Sequence, residues 1–282
     1  MQTQIDCFPC FLRQTLIALR QFSGNNEELH GDIMREVLAI ARNADMNRPP
    51  AYTTTFIHRT IRQMLDADPF ERIKKKYNSV AIRQFPLLQK KVQESSDPLW
   101  TATRLAIAGN IIDFGIYTAV DIDGAIHRSL KTTISVDDYQ TFHHEVQQAD
   151  TILYLLDNAG EVVFDKLLID VLASSGKKIK AVVKGGPVLN DVTRDDAEQT
   201  GLDRICEIID NGSDAVGTIL AMTTPEFQKE FYNADLVLCK GQGNFETVSE
   251  TGRIAFFLFQ AKCDVVCREL GLDTGSMLLM KS

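Results

Sequence analysis

The sequence predicts an α/β fold in which a helical N-terminal region packs on a mostly parallel, Rossmann-like sheet with helices on both faces. Up to about residue 148, apolar residues recur at helical spacing, whereas from residue 149 short apolar runs alternate with amphipathic segments. Strands separated by helices of this length are typical of parallel sheets joined by right-handed crossovers. We therefore predict a mainly helical region at 1–148 and an α/β domain at 149–282.

The helical region is predicted to contain five helices. The first has apolar residues at helical spacing and stops at Ser23-Gly24, and the second covers 29–44. Pro49-Pro50 then interrupts the chain, and the threonines at 53–55 are expected to cap a third helix. A long polar helix is predicted from Asp68-Pro69 onward and another over 99–114, whereas 115–148 give no clear pattern.

In the second half, each predicted strand is a short apolar run and each predicted helix an amphipathic segment. The strands are expected at 151–156, 179–183, 206–209, 235–239 and 254–258. The helices are expected at 160–174, 193–200, 225–233, 244–252 and 264–270. Because ligands of open α/β sheets bind outside the carboxyl ends of the strands, the polar residues that follow the strands are the candidate site.

Composition excludes several classes of protein. The 282 residues suffice for a large core, and the net charge of −8 argues against nucleic-acid binding, which needs clustered Lys and Arg. The longest apolar run, 254–259, is too short to span a bilayer, and the N-terminus has no secretory signal. We expect a cytoplasmic protein that binds neither nucleic acid nor membrane, and the sequence does not predict its oligomeric state.

Two strand ends carry oxygen-bearing side chains. Asp157 and Asn158 directly follow one predicted strand, with Glu161 one turn later, and Asn190 and Asp191 follow the next. One such residue would suffice to cap a helix, and that simpler interpretation stays open for each pair. Carboxylate and amide oxygens are also the ligands that hard divalent cations prefer. We predict that these two strand ends together build one metal site.

Other strand-end residues suit a phosphate group. Lys184-Gly185-Gly186-Pro187 precedes Asn190, and glycines let backbone N–H groups approach an anion. Lys240 begins the stretch Lys-Gly-Gln-Gly-Asn-Phe-Glu, which ends at Glu246. That stretch lacks the third glycine of a dinucleotide-binding fingerprint, but a lysine with glycines at a strand end suits a phosphate. A surface lysine is the simpler alternative.

Four of the six cysteines lie in two short motifs, Cys7-Phe-Pro-Cys10 and Cys263-Asp-Val-Val-Cys267. In a reducing compartment these are expected to be thiols. The sequence leaves three roles open, which are structural zinc, a redox dithiol and ordinary buried packing.

Taken together, five segments resemble the metal-dependent damage-control phosphatase family, also catalogued as domain of unknown function 89. The segments span nearly the whole chain and are Cys7-Phe-Pro-Cys10-Phe-Leu-Arg13-Gln14, Gly109-Asn110-Ile-Ile-Asp113, Asp157-Asn158-Ala-Gly160-Glu161, Lys184-Gly-Gly-Pro187 with Asn190-Asp191, and Lys240-Gly-Gln-Gly-Asn244-Phe-Glu246. The N-terminal C-x-x-C resembles the prokaryotic branch with paired cysteines.

The resemblance implies hydrolysis of phosphomonoesters of small metabolites, including damaged or reactive sugar phosphates and cofactor derivatives. It implies a divalent cation (Mn, Co, Ni or Mg) on Asp157, Asn158 and Asp191. Asp157, Asp191 and Lys240 would be catalytic, and the substrate would be bound by Asn110, Asn158, Gly185, Gly186, Lys240 and Asn244. The physical chemistry agrees, because a cation neutralises phosphate oxygens and activates water.

Two mechanisms and two other functions stay open at this point. The nucleophile is expected to be a metal-bound water, and its rival is a covalent aspartyl-phosphate on Asp157 or Asp191. The alternative functions are a noncatalytic protein that binds a phosphorylated ligand or nucleotide, and a carboxyl methyltransferase on the same fold. The natural substrate is not predicted.

Overall fold

A computed structural model describes residues 1–22, 26–111, 124 and 130–282. Within those residues the helices are α1 Cys7–Gln21, α2 Glu27–Arg42, α3 Pro50–Leu65, α4 Glu71–Gln93, α5 Pro98–Ile111, α6 Tyr139–Gln148, α7 Glu161–Ser174, α8 Arg194–Gln199, α9 Pro225–Asn233, α10 Gly241–Val248 and α11 Asp264–Leu270. The strands are β1 Val136–Asp137, β2 Thr151–Leu155, β3 Lys178–Val183, β4 Glu207–Asp210, β5 Leu236–Lys240, β6 Ala255–Gln260 and β7 Met277–Lys281. No helix in these ranges is both long and apolar enough to cross a bilayer.

The strands form one seven-stranded sheet in the order β1-β7-β6-β5-β2-β3-β4. All neighbouring pairs are parallel except β6 with β7. The five predicted strands match β2 to β6 within two residues at each end, and the short β1 and the antiparallel β7 were not predicted. The predicted α/β class with a mostly parallel sheet is confirmed.

Both faces of the sheet are buried. Successive side chains of a strand point to opposite faces, so each strand contributes to both of the clusters that cover them. In β2, Ile152 and Tyr154 pack against α4, α5, α6 and α7 on one face. Leu153 and Leu155 pack on the other face against a cluster that includes residues of α1, α2, α3, α9, α10 and α11. This explains why the strands are continuous apolar runs rather than alternating ones. Both clusters combine residues from 1–148 and 149–282, so the proposed domain boundary stays a prediction.

Two local predictions were wrong for identifiable reasons. Helix α3 begins at Pro50, so the threonines at 53–55 are buried inside it rather than capping it; proline is favoured in the first turn because its missing N–H costs nothing there. Helix α10 begins at Gly241, three residues before the predicted start. Gly241 has φ +76°, a conformation open to glycine, and this allows the helix to follow β5 without a loop.

The strand order reverses direction at β2. From β2 the chain adds β3 and β4 on one side, then returns to place β5 and β6 on the other. A crevice forms at such a reversal, outside the carboxyl ends of the two strands that flank it. Leu155 of β2 pairs with Cys239 of β5, so Asp157 and Gly241 emerge side by side at this edge.

His58 of α3 is fully buried beside Phe70 and has no partner for Nε2 among the described residues. Burial, assisted by the nearby Arg62, lowers the pKa of His58 to about 3 from its usual 6.5. The folded protein therefore favours neutral His58, whereas the unfolded chain takes up a proton there below about pH 6.5. The free energy of unfolding consequently decreases as pH falls from 6.5 toward 3.

We predict that His58 contributes a loss of about 2 kcal/mol in unfolding free energy between pH 7.5 and pH 5. Urea titrations at both pH values, on wild type and His58→Gln, would measure this, because the variant lacks the titrating group. The same substitution at the half-buried His30 of α2 is the control. An identical pH dependence in wild type and His58→Gln would contradict the prediction.

Candidate functional site

The loops that follow β2 and β3 are joined by backbone hydrogen bonds. Asn158 and Asp191 form an isolated antiparallel bridge. Beside it, Val192 N donates to Asp157 O at 2.8 Å and Ala159 N donates to Asn190 O at 2.8 Å. The two pairs of polar residues predicted from the sequence are therefore held next to each other by main chain rather than by their own side chains.

Helix α4 fixes both loops from outside. The side-chain oxygen of Asn78 accepts from Gly160 N at 2.7 Å, and its amide donates to Asp196. One turn earlier, Lys74 bonds to Asp196 at 2.8 Å and to the carbonyl of Asp191 at 3.3 Å. Both α4 side chains are buried. Sequence analysis missed them, and the available signal was a Lys and an Asn at i,i+4 spacing on a helix.

A cavity of about 230 Å³ lies at the carboxyl ends of β2 and β5. Four of the predicted site residues line it, namely Asn110, Asp157, Asn158 and Asp191. Asn110 reaches it from α5, where its amide donates to Asp157 Oδ2 at 3.2 Å and its oxygen accepts from Gln260 N at 3.2 Å. Asp113, its predicted neighbour, lies outside the described residues.

The two aspartates are buried in a crowded negative environment. Burial raises the pKa of Asp157 well above its usual range, and the neighbouring Glu161 and Asp191 carboxylates raise it further. Burial also raises the pKa of Asp191, although the Lys184 ammonium, 3.4 Å from its Oδ2, works in the opposite direction. The carboxylates of Asp157 and Asp191 are thus close enough to repel each other, and added positive charge would stabilise both.

Glu161 is the centre of the side-chain network beneath the cavity. Its Oε2 accepts from Asn110 and Asn158, each at 3.0 Å, and its Oε1 is 2.5 Å from the Lys240 ammonium. The residue is buried at the start of α7. The sequence suggested a third oxygen side chain at this strand end but not that it would orient the other two polar groups.

Lys240 does not face the cavity. It is fully buried, and its ammonium bonds to Glu161, to Asp165 at 2.8 Å and to the carbonyl of Ala106 at 2.8 Å. An ammonium has three N–H donors, so none is left for a phosphate in this arrangement. In this structure Lys240 pairs with Glu161 and Asp165 instead of facing the cavity, and its expected contact with a substrate phosphate stays a prediction.

Asp165 extends this network into the core. It accepts from the Tyr154 hydroxyl at 2.9 Å, and burial, opposed by Lys240, raises its pKa to about 7. Asp165 follows Glu161 by four residues on the same face of α7. The sequence signal for Asp165 was an acidic residue within a largely apolar helix, and Asp165 was not among the predicted site residues.

Three other predicted substrate-binding residues lie away from the cavity of Asp157, and two of them have structural partners. Asn244 is buried, its amide donating to the carbonyls of Lys240 and Leu156. Gly185 N donates to Ser213 O at 2.9 Å and to Asn211 Oδ1 at 3.2 Å, so it is not available to an anion. Gly185 and Gly186 line an adjacent cavity, beside Lys184. The structure therefore does not bring these three residues to the cavity of Asp157.

The donor set of the cavity fits a divalent cation. Asp191 Oδ2 is buried without a hydrogen-bond donor among the described residues, although Lys184 is near. Two carboxylates and one carboxamide, Asp157, Asp191 and Asn158, offer oxygen ligands of the type that Mg²⁺ and Mn²⁺ take. In the described part of the chain, no three side chains of the His, Cys, Asp and Glu types are grouped to hold a metal. A metal ion in this cavity would therefore need the side-chain amide of Asn158 as its third protein ligand.

Three cysteines lie at the edge of the same cavity. Cys7, Cys10 and Cys263 line it, and burial raises the pKa of Cys7 and of Cys10, with Cys263 adding to both shifts. Cys267 is buried behind them. All four are free thiols, and they form no metal-binding group among the described residues. Their role stays open.

Known proteins resemble this chain over its full length. Residues 3–278 match the family model of the damage-control phosphatase ARMT1-like domain. A damage-control phosphatase of Pyrococcus horikoshii is 31% identical and the match covers 100% of this chain and 99% of the relative. A damage-control phosphatase of Archaeoglobus fulgidus is 32% identical, with 90% of each chain covered.

The fold has a crystallographic counterpart. The crystal structure of a DUF89 family protein from Pyrococcus horikoshii superposes with a TM-score of 0.93 at 30% identity, covering 100% of this chain and 99% of that one. The predicted family is therefore confirmed, and the named relatives support a phosphatase role. The assignment to a branch with paired cysteines stays a prediction.

The buried position of Lys240 gives a stability test. We predict that Lys240→Met lowers the unfolding free energy by about 3–5 kcal/mol, because it leaves Glu161 and Asp165 buried without a counter-charge. Denaturant unfolding monitored by circular dichroism would measure it. Lys75→Met is the control, since Lys75 pairs with Glu71 on the surface of α4, and it should change stability little. Equal effects of the two substitutions would contradict the buried network.

Gly241 gives a second test, because a Cβ there would lie 1.9 Å from Asp157 Oδ2. Gly252 has a similar φ, +73° against +76°, with nothing within 4 Å of a Cβ. Gly252→Ala should therefore cost only the left-handed backbone penalty, about 1–2 kcal/mol. Gly241→Ala should cost clearly more in the same unfolding experiment, because Asp157 must also move. Equal costs would show that Asp157 does not pack against Gly241.

Proposed function

Because the chain belongs to the ARMT1-like family of damage-control phosphatases, we propose that it is a metal-dependent phosphatase that hydrolyses phosphomonoesters of small metabolites. The observation that supports the metal-dependent site is the juxtaposition of the Asp157-Asn158 and Asp191 strand ends on one cavity. Asp191 Oδ2 accepts no hydrogen bond from the described residues, although Lys184 lies 3.4 Å away, and the neighbouring Glu161 and Asp191 carboxylates raise the pKa of Asp157.

In this proposal Asp157, Asn158 and Asp191 hold one divalent cation, of which Mn²⁺, Co²⁺, Ni²⁺ and Mg²⁺ are the candidates. The cation supplies positive charge to the phosphoryl oxygens and favours ionisation of water. The protein contributes rigidity, since the backbone bridge between Asn158 and Asp191 fixes the ligands before substrate arrives. Such preorganisation avoids the cost of reorganising dipoles during reaction.

The residues beneath and beside the ligands have positioning roles. Glu161, held by Lys240, accepts from the amides of Asn110 and Asn158 and so fixes the direction of both side chains. With its amide nitrogen engaged by Glu161, Asn158 keeps its oxygen for a cation. The Lys184 ammonium lies 3.4 Å from the carboxylate of Asp191, which makes Lys184 a better candidate for a phosphate contact than Lys240.

Glu246 is a further carboxyl group on the cavity wall. Burial raises its pKa to about 7, and it accepts weakly from Ala51 N at 3.2 Å. A carboxyl group with that pKa is partly protonated at neutral pH and is suited to donate a proton to a departing alkoxide. We assign it this role within the proposal.

We predict that purified protein releases inorganic phosphate from phenyl phosphate when Mn²⁺, Co²⁺, Ni²⁺ or Mg²⁺ is supplied, and that chelation abolishes the release. Asp191→Ala should lower kcat/KM by ~100-fold or more, because it removes a ligand as well as a charge. Asp195→Ala is the matched control, four residues away and exposed, and should keep wild-type turnover. Circular dichroism would verify that both variants are folded.

Four results would contradict this assignment. Equal turnover by folded Asp191→Ala and wild type would remove Asp191 from the site. Unchanged activity after chelation would remove the cation. Binding of a phosphorylated ligand without release of phosphate under any metal would favour a noncatalytic binding protein, and transfer of methyl groups to protein carboxylates would favour the methyltransferase.

A further inference from the structure

A larger groove lies beside the cavity of Asp157. The groove has a volume of about 720 Å³, about three times that of the cavity at about 230 Å³. Gln14, Leu189 and Lys262 line both, so the two spaces are adjacent and share part of their walls. Asn190, next to the proposed ligand Asp191, lies on the groove wall. A molecule that places a phosphate in the cavity can therefore extend directly into the groove.

One part of the groove wall is apolar and aromatic. Leu16 and Ile17 of α1 are each 42% exposed there, although they are large apolar side chains. Phe70, Ile73 and Tyr77 also line the groove, contributed by α4 and the residue before it, although Phe70 and Tyr77 are largely buried. An apolar or aromatic body would cover this surface and gain from its burial.

The remainder of the groove wall is basic. Arg13, Arg20 and Lys262 are exposed there and have no ion-pair partner among the residues that the structure describes. None of the described residues that line the groove is acidic. Arg13 and Arg20 are seven residues apart on α1 and so share one face. This local positive charge stands out in a protein whose net charge is −8.

The other neighbouring cavity has the opposite character. It lies beside Lys184 and Gly185, has a volume of about 410 Å³, and is lined by five carboxylates against four basic side chains. Its lining acids are Asp68, Glu71, Asp195, Asp196 and Asp210. This cavity has no excess of basic side chains, whereas the groove has three, so electrostatics favours the groove for the rest of an anionic substrate.

Leu189 marks the junction of the cavity and the groove. It is one of two non-glycine residues in the described chain with a positive φ, +46°. A branched aliphatic residue is costly in this conformation, by about 1–2 kcal/mol. Strain of this kind persists where surrounding structure fixes it, frequently at ligand sites. Here the strained residue lines both the cavity and the groove.

We propose that the groove binds the non-reacting part of the substrate, and that the substrate class is a phosphomonoester whose apolar or aromatic body carries a second anionic group. The apolar wall of α1 and α4 covers the body, and Arg13 and Arg20 contact the second anion. This inference rests on the proposed phosphatase function and specifies its substrate. A guanidinium pair suits a carboxylate or a second phosphate equally, because both accept bidentate hydrogen bonds.

The test compares three substrates on the metal-supplied full-length protein. They are phenyl phosphate, phenyl phosphate with a para-linked hexanoic acid chain, and the same compound with a primary amide in place of the acid. The acid and the amide differ only in the second anionic group. We expect wild type to favour the acid over the amide by about tenfold in kcat/KM, mainly through KM.

The double variant Arg13→Gln/Arg20→Gln is expected to remove that tenfold preference. Arg35→Gln is the matched control, since Arg35 is an exposed arginine of α2 paired with Asp32, and it should keep the preference. Two results would overturn the inference: equal kcat/KM for the acid and the amide in wild type, or a ratio of acid to amide kcat/KM that is unchanged in the double variant. In either case, turnover of phenyl phosphate would still uphold the phosphatase proposal. No turnover of any of the three would overturn both.

Discussion

The site depends on the backbone pairing between the loops after β2 and β3. In a parallel sheet the strand ends lie at one edge, but side chains on separate loops meet only if the loops themselves are fixed. Here the bridge between Asn158 and Asp191 fixes them, and Lys74 and Asn78 of α4 hold the pair from outside. Two aspartates are thereby kept together although their charges repel.

The buried charge beneath the site follows from that constraint. Glu161 orients two amides toward the cavity, and its own charge needs compensation because it has been removed from water. Lys240 provides it and is compensated in turn by Asp165. A lysine that appeared suited to phosphate is used to stabilise the layer below. Such a layer keeps the upper side chains in one orientation, which a binding site for a small anion needs.

In the proposed mode of binding, size and charge divide the substrate between two spaces. The cavity beside Asp157 holds little more than a phosphate and the atoms next to it, whereas the groove along α1 has room for a body of many more atoms. Binding energy gained in the groove can position the phosphate for reaction. The family relationship establishes the class of protein, and the basic and apolar walls of the groove distinguish which members of a broad substrate class would fit.

The sequence alone determined the α/β class, five of the seven strands, and the candidates Asp157, Asn158 and Asp191, because hydrophobic periodicity and the residues after each strand are local features. Tertiary structure decided which polar groups face the cavity. Lys240, Asn244 and Gly185 follow strands just as Asp157 does, yet their donors are used by groups distant in the chain, including Ala106, Leu156 and Ser213. Such partners, and the contribution of α1 and α4 to the groove, arise only when the chain is packed, since a local pattern fixes where a side chain emerges but not what it meets.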